Sequence, residues 1–571
     1  MHWEYKTVSE NLIETKASQW NVSKFLATLL LKKGFLEKDE VDNFLNPSIN
    51  KFRNPFDFEM MDSVVEKIVS AKNNEEKLFI YGDYDVDGIT AAIFLVLAFR
   101  EIGIDIDYYI PNRMDEGYGL DKKTIDYIHK NSGKLVITVD TGVNSYEDVE
   151  YARTLGIEVI VTDHHKSVKD EEEDNILFIN PKLSDNYKFK FLAGAGVALK
   201  VAQGVYSYLN EDFSKLYQFM DVIMIGTVAD VVPMFDENRI IISRGLETLK
   251  NTKIKGLVYL MKYLKLYNKD ISTTDISYFV SPLINSLGRL GNSKLGADFF
   301  MKTDDFEIYN IIEEMKKANK QRRELERMIF DEANKMIQQK NDPNNLKYIF
   351  VASERWHPGV IGVVASRLSV KYNLPVAMIS LKDGIAKASC RSIPGVNIFN
   401  ILKLIENKLI RFGGHDLAAG FIADEKNLPE IELLFQREIQ VHEHNINQPK
   451  FLEIDLELSV DKINKNHIND IKKLGPFGLE NKHPYFLDRG VKIIDTKFFG
   501  IENRHFNGFL LKNGKSYPLV AFDLSSKLHK NNKDMLYDII YYPEKIINKG
   551  EEFYQFRLKD LKSHKIWDIN T

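Results

Sequence analysis

The chain has 571 residues, a hydrophobic fraction of 44%, a charged fraction of 28% and a formal net charge of −5. At roughly 150 residues per domain this length implies about three or four domains, and the mild acidity excludes a globally basic coat while leaving room for local basic patches. The single cysteine, Cys390, excludes an internal disulfide framework and an all-cysteine zinc site, so the chain reads as cytoplasmic and reduced.

The opening "MHWEYKTVSENLIETK" lacks a basic stretch followed by a long apolar one, and no secretory signal is expected. Residues 1–55 read as a helical and irregular segment ending at "LNPSINKFRNPFDF". Over 56–303 the apolar runs "KLFIYGD", "LVITVD", "IEVIVTD", "ILFIN" and "VIMIGTVAD" alternate with helix-like segments. Such runs predict a parallel sheet covered on both faces, whose ligands sit at the carboxyl ends of the strands. The stretch "DVIMIGTVADVVPM" is short and interrupted by Asp230, so no membrane span is expected. Residues 304–341 hold neither Gly nor Pro and carry apolar residues at helical spacing, which predicts one long connecting helix. A second α/β pattern opens with "LKYIFVA" and fills 342–445, and short alternating strands over 446–571 predict a small β-barrel. The expected fold is therefore α/β: two lobes joined by a long helix, then a barrel.

Four of the strand candidates end in a potential metal ligand. The first is followed by Asp83, Asp85 and Asp87, the second by Asp140, the third by Asp163, His164 and His165, and the last by Asp230. Alternation along an extended chain sends Asp83, Asp85 and Asp87 to one side. An isolated Asp after a strand is usually a helix cap or a turn residue. Together, so many carboxylates would repel one another unless cations neutralised them. Oxygen-rich ligation with one or two imidazoles suits Mn²⁺ or Mg²⁺ better than zinc, and two such ions about 3.5–4 Å apart form the usual clamp for phosphoester hydrolysis. No phosphate-binding Gly-Lys-Ser/Thr loop, dinucleotide fingerprint, His-Glu-x-x-His or Gly-x-Ser-x-Gly motif is present in the sequence.

In order, "GDYDVDG", "DTG", "TDHH" and "GTVADVVP" resemble the motifs of the DHH phosphoesterase superfamily, and "HPGVIGVVASRL", "RSIPG" and "FGGHDLAAGF" resemble its associated DHHA1 domain. "PNRMDEGYGL", "LAGAGVALK", "PLINSLGRLG" and "LGPFGLENKHPYF" are similar specifically to the bacterial single-stranded-DNA-specific exonucleases of that superfamily. The resemblance implies a DHH catalytic domain over 56–303, a DHHA1 domain over 342–445 and a DNA-binding barrel of the OB-fold type over 446–571. It implies hydrolysis of single-stranded DNA from the 5′ end, release of 5′-mononucleotides, two divalent ions, Mn²⁺ or Mg²⁺, and a role in DNA repair and recombination. A RecQ-type helicase and a single-strand-binding protein are the implied partners, with no membrane involved.

Carried over position by position, the resemblance has Asp85 and Asp140 hold one metal and Asp87, Asp140, His164 and Asp230 the other. His165, Arg113 and Arg289 are implied at the scissile phosphate, with Asp83 and Asp163 as neighbours that orient the ligands. Asn285, Arg391, Ser392, Gly413, Gly414 and His415 resemble the site that receives the DNA and its 5′ end. Three positions depart from the family: Tyr81 where some members have a histidine ligand, Leu283 where an arginine is frequent, and Cys390 where a glycine is usual. The barrel aromatics Phe477, Tyr485 and Phe486 are candidates for base stacking, against the plainer reading of core packing. The cluster Lys316, Lys317, Lys320, Arg322 and Arg323 is either a track for the DNA backbone or a solvated helix face. Two alternatives stand beside the exonuclease: a relative acting on short oligoribonucleotides or cyclic dinucleotides, which would not need the extra barrel, and a non-catalytic DNA-binding scaffold, which would not need to keep five metal ligands.

Overall fold

The computed structural model of the chain describes residues 2–5, 7–112, 119–167, 176–339, 346–442, 444, 451–528, 535–548 and 551–564. It divides into two compact units, Ser48–Gln448 and Met1–Pro47 together with Pro449–Thr571.

After the helix Met61–Asn73, the first unit carries β1 (Lys77–Gly82), α1 (Val86–Arg100), β2 (Ile106–Tyr109), β3 (Gly133–Val139), β4 (Glu158–Thr162) and β5 (Leu177–Ile179). The strands form a five-stranded sheet in the order β2-β1-β3-β4-β5, every neighbouring pair parallel. Alternate residues of β1 serve opposite faces: Leu78 and Ile80 enter one core, Phe79 and Tyr81 another. That two-sided burial is why the strands read as continuous apolar runs rather than as alternating ones. The register pairs Gly82 with Val139, Val139 with Thr162 and Thr162 with Ile179. Asp83, Asp140, Asp163 and Asn180 therefore leave the sheet from one row.

Three expectations are corrected here. The strand β2 went unread because its "IDYY" is half polar and short. The run "VIMIGTVAD" is not a strand but the helix Met220–Ala229, buried on every side, with Asp230 as its C-cap. A short apolar run buried all round has no periodicity that separates helix from strand. Finally, β1 stops at Gly82 and α1 starts at Val86, so Asp83, Asp85 and Asp87 do not share one extended strand.

Beyond this sheet come α2 (Gly194–Tyr208), α3 (Met220–Ala229), α4 (Ser281–Arg289) and the 34-residue α5 (Asp305–Gln338). The Asp304 side chain caps α5 by accepting from the N–H groups of Phe306 and Glu307. The helix is shared by two cores: Ile308, Ile311, Ile312 and Met315 belong to that of the first lobe, Ile329, Ala333 and Ile337 to that of the second. The second lobe carries β6 (Ile349–Ser353), β7 (Val376–Lys382), β8 (Ile385–Arg391), β9 (Arg411–His415) and β10 (Ala418–Asp424) in the order β9-β10-β8-β7-β6. Only the β6–β7 pair is parallel.

In the other unit, β11 (Phe486–Phe499), β12 (His505–Lys512), β13 (Lys515–Ala521), β14 (Leu536–Asn548) and β15 (Glu551–Ser563) close into a barrel, because β14 pairs with both β11 and β15. The N-terminal helices Glu10–Trp20, Lys24–Lys32 and Lys38–Leu45 contribute Trp20, Leu26, Leu30 and Phe44 to the barrel's own hydrophobic core. Strand His2–Tyr5 pairs in parallel with Phe451–Ile454, the Ser23 hydroxyl donates to Asp470 (2.5 Å), and Trp3 Nε1 donates to Asp560 (2.9 Å). Phe486 is fully buried there, which leaves no face for a base, whereas Phe477 stacks on His483 with ring centres 3.8 Å apart. No helix among the described residues is long and apolar enough to cross a membrane.

Candidate metal centre

The acidic triplet is organised by the turn from β1 into α1. Asp85 is the N-cap of α1: its Oδ1 accepts from the N–H groups of Asp87 (2.9 Å) and Gly88 (3.2 Å). Asp87, in the first turn, accepts from the N–H groups of Gly194 (2.6 Å) and Ala195 (2.9 Å) at the start of α2. Two helix N-termini thus hold two carboxylates, where the macrodipole favours negative charge. The backbone N–H of Asp83 is tied to the Val139 carbonyl (3.3 Å), which docks the turn on β3. The convergence first read as strand alternation is therefore a strand–turn–helix geometry.

Asp140 follows β3 in the left-handed region, at φ 61°, an uncommon conformation for a residue other than glycine and one that clusters at functional sites. Its carboxylate lies against the backbone of α2, and a Cβ built on Gly194 would stand 2.5 Å from the Asp140 Cβ. His164 is buried, with Nε2 3.0 Å from Asp140 Oδ1 and 3.9 Å from Asp87 Oδ2, and Nδ1 3.7 Å from Asp230 Oδ2. Among the described residues, four groups of ligand atoms lie within 4.8 Å of one another: Asp87, His164 and Asp230; Asp83, Asp85 and Asp140; Asp140, Asp163 and His165; and His164, His165 and His415. Asp140 belongs to two of them.

Burial and mutual repulsion govern the protonation here. Desolvation, then the Asp85 charge, pushes the Asp87 carboxyl up to about 7. Asp140 and Asp230 are raised well above the ordinary carboxylate range, first by burial and then by Asp87. Burial and then the neighbouring His165 hold His164 well below its usual value, keeping it neutral, the form that ligates metals. His165 behaves oppositely: burial lowers it, but the Asp163 carboxylate outweighs burial and lifts it to about 8. The contact is a 2.7 Å hydrogen bond between His165 Nδ1 and Asp163 Oδ1. Asp163 also accepts from the backbone N–H groups of Val143, His164 and His165, and these donors with the His165 charge overcome its burial to keep its own carboxyl low.

The donor set fits divalent cations. Asp140 Oδ1 is buried and accepts no hydrogen bond among the described residues, although His164 Nε2 is near. A cation supplies the missing partner to such an oxygen at neutral pH. Carboxylate oxygens with one imidazole suit Mn²⁺ or Mg²⁺. Tyr81, expected from the sequence to depart from the family pattern, is buried with its hydroxyl donating to the Gly119 carbonyl (2.7 Å).

The second lobe reaches this rim. The His415 ring stacks on His165 with centres 4.7 Å apart at 15°, and lies 5.4 Å from His164. Gly414, at φ 136°, crosses so close to β10 that any Cβ would overlap the Ala418 carbonyl; Gly413 has open space. Arg391 is held by Ser366 Oγ (3.0 Å), Ser389 Oγ (3.2 Å) and the Cys390 carbonyl (2.7 Å), and the Ser392 hydroxyl donates to the Val396 carbonyl (2.7 Å). Arg289 donates to the Gly359 carbonyl (3.1 Å), and with Asn285 it lines a cavity of about 220 Å³. Asn285 Oδ1 accepts from the Val86 N–H (3.2 Å), bracing the start of α1. Arg113 lies outside the described residues. Leu283 and Cys390 are buried in their cores. In the long helix, Lys316, Lys317 and Arg322 pair with Glu313, Glu314 and Glu326 of the same helix.

The structure adds residues that pattern reading left without a role. Lys182 reaches His415 Nδ1 (3.3 Å), and Asn180 donates to the His165 carbonyl (3.0 Å) while accepting from the Lys182 N–H (2.9 Å). Their only signal is "INPK" directly after a strand run, a common turn composition. The Gly194 and Ala195 amides carry a signal, the glycines of "LAGAG" opening a helix, but backbone donors are invisible to a search for side chains.

Comparison with known proteins places three family domains on this geometry: the DHH family N-terminal domain over residues 77–227, the DHHA1 domain over 345–440 and the RecJ OB domain over 454–560. The chain is 31% identical over 532 residues to the single-stranded-DNA-specific exonuclease RecJ of Bacillus subtilis, covering 92% of this chain and 66% of that protein's length. It is 30% identical over 500 residues to the protein of the same name from Escherichia coli, covering 83% of this chain and 85% of that one. Among solved structures, RecJ of Thermus thermophilus in complex with Mn²⁺ superposes with a TM-score of 0.81 at 23% identity, over 99% of this chain and 80% of that one, which shows the shared fold.

Proposed function

The chain belongs to the RecJ family of single-stranded-DNA-specific exonucleases, and from that premise we propose that it is a metal-dependent 5′→3′ exonuclease that releases 5′-mononucleotides from single-stranded DNA in repair and recombination in the cytoplasm. The observation that carries the reading is the meeting of Asp83, Asp85, Asp87, Asp140, His164 and Asp230 on one sheet rim, around a buried Asp140 oxygen that accepts no hydrogen bond among the described residues. Two divalent ions, Mn²⁺ or Mg²⁺, are proposed, one between Asp85 and Asp140 with Asp83 beside them, the other among Asp87, Asp140, His164 and Asp230. When bound they supply Lewis-acid activation of water and charge neutralisation at the scissile phosphate.

The chain's own residues do the rest. Asp163 takes His165 Nδ1 and keeps the ring cationic near neutral pH, so in this reading Nε2–H donates to a phosphate oxygen as negative charge builds on it. Arg289, fixed by the Gly359 carbonyl, brings a guanidinium whose planar fork suits a phosphate, and Arg113 is proposed to do the same. On the second lobe, Arg391 with its serine braces, Ser392, the bare backbone of Gly413 and Gly414, and His415 are proposed to receive the 5′-terminal nucleotide. Glycine there permits close approach of a phosphate to backbone N–H groups. A RecQ-type helicase and a single-strand-binding protein are the proposed partners, supplying and presenting the unpaired strand.

The test is hydrolysis of 5′-phosphorylated single-stranded DNA, duplex DNA and RNA with Mn²⁺, by the parent and by Asp140→Ala. Mononucleotides are expected from the single strand alone, with activity lowered at least about a thousandfold in the variant, the scale of removing a central electrostatic element. Equal activity of the variant, or no mononucleotide from the parent, would overturn the reading.

A further inference from the structure

We propose that Lys182 is a positioning residue for His415: its ammonium donates to His415 Nδ1 and so fixes the imidazole as the Nε2–H tautomer, which presents a donor to the terminal phosphate of the substrate. The inference rests on the exonuclease reading and deepens it.

An ammonium has three donors and no acceptor, so a lysine facing a ring nitrogen at 3.3 Å assigns that nitrogen as the acceptor. A neutral imidazole then carries its one hydrogen on Nε2. His415 is half-buried and stacked on His165, and the ammonium of Lys182 is what faces its Nδ1. Burial lowers the Lys182 pKa, and the carboxylates of Asp230, Asp163 and Asp416 oppose that shift without reversing it. The Lys182 backbone is set by Asn180, whose amide also holds the His165 carbonyl. One short loop after β5 thereby orients both members of the stacked histidine pair. His165 has Nδ1 committed to Asp163, and His415 has Nδ1 committed to Lys182. In both rings Nε2 is the nitrogen that carries a hydrogen toward substrate, and two nearly parallel imidazoles 4.7 Å apart are spaced to serve neighbouring oxygens of a phosphate-bearing terminus.

A plain docking role is the competing account, because Lys166 makes a 2.5 Å ion pair with Asp416 next door and could be joined by Lys182 in clamping the β9 tip. The two differ in what they change. The experiment measures steady-state kinetics of the full chain on 5′-phosphate and 5′-hydroxyl single strands for the parent, Lys182→Met, Lys182→Arg, His415→Ala and the Lys182→Met/His415→Ala double variant, with a thermal melt of each. Lys182→Met is expected to raise KM for the 5′-phosphorylated strand about tenfold while leaving kcat within about twofold, and to affect the 5′-hydroxyl strand less. Lys182→Arg keeps a donor and is expected to stay within about threefold of the parent. The double variant is expected to match His415→Ala, because a residue that acts only through His415 has nothing left to position.

Multiplying effects in the double variant would mean that Lys182 meets the phosphate itself, and would overturn the proposal. So would a lowered melting temperature with kcat reduced equally on both strands, the signature of docking alone. A parent chain that hydrolyses neither strand refutes the exonuclease reading instead, which separates the two failures.

Discussion

Asp140 shows how much a single position can carry. It sits in a strained backbone conformation, faces His164, Asp83 and Asp85, and is packed from behind by a glycine with no room to spare. Gly194→Ala would place a methyl 2.7 Å from Asp140 Oδ1 and must move either the carboxylate or the α2 amides that hold Asp87. The expected outcome is a loss of Mn²⁺ affinity of about 10–100-fold, the usual scale for disturbing the groups behind a ligand, read by isothermal titration calorimetry. Unchanged affinity would show that the carboxylate does not depend on this packing. Asp85 makes a related point: the same side chain caps a helix and faces the cluster, so the bland reading of an Asp after a strand and the functional one are both true of it.

Among the elements, α1 and α3 decide the site. The two helices pack so closely that Gly226 of α3 meets Thr90 of α1, and a Cβ there would overlap Thr90 Oγ1 and stand 2.8 Å from Asp87 Oδ1. Gly226→Ala is therefore expected to destabilise the first unit by about 1–3 kcal/mol, as overpacking of a tight core does, and to weaken metal binding with it. Denaturant unfolding followed by far-ultraviolet circular dichroism checks the first effect, and a midpoint equal to that of the parent would refute it. The rank of strands is the other decisive element: in-register ends put Asp83, Asp140 and Asp163 in one row, which explains why three motifs distant in sequence act together. Tyr81, although it lies on β1 beside them, is turned into the packed face with its hydroxyl bonded to Gly119.

For the molecule as a whole, the crowded acids predict a dependence of stability on pH that metal should remove. In the metal-free chain Asp87 is raised to about 7 and His165 to about 8, both above their usual values of about 4 and 6.5. The folded form thus binds both protons more tightly than the unfolded form does. Each contribution is complete below the unfolded value and is lost as pH rises through the folded one, so stability should fall over about pH 4–7 for Asp87 and about pH 6.5–8 for His165, by about 1.4 kcal/mol per pH unit for each full proton difference. His164, held low, has its effect on the acid side of the His165 window. Thermal melts in EDTA are expected to show a lower midpoint at pH 8 than at pH 6.5, and Mn²⁺ to reduce the difference by replacing protons on the carboxylates. A midpoint that rises with pH in EDTA would contradict the assignment.

By itself the sequence determined the layout of two α/β lobes, a connecting helix and a barrel, because apolar runs, a helical repeat without Gly or Pro and turn spacing are local signals. It also determined which side chains were candidates for the centre, since carboxylates and histidines after strand runs can be recognised one motif at a time. Only the tertiary structure decided how they meet. Asp83, Asp85 and Asp87 converge through a turn and a helix cap rather than along a strand, and Asp230 arrives at a helix end because an all-apolar run is ambiguous until its neighbours surround it. The same holds for the Gly194 and Ala195 amides under Asp87 and for Lys182 against His415, contacts that join residues 107 and 233 positions apart. Such pairings are written in packing and strand register, which no short stretch of chain encodes.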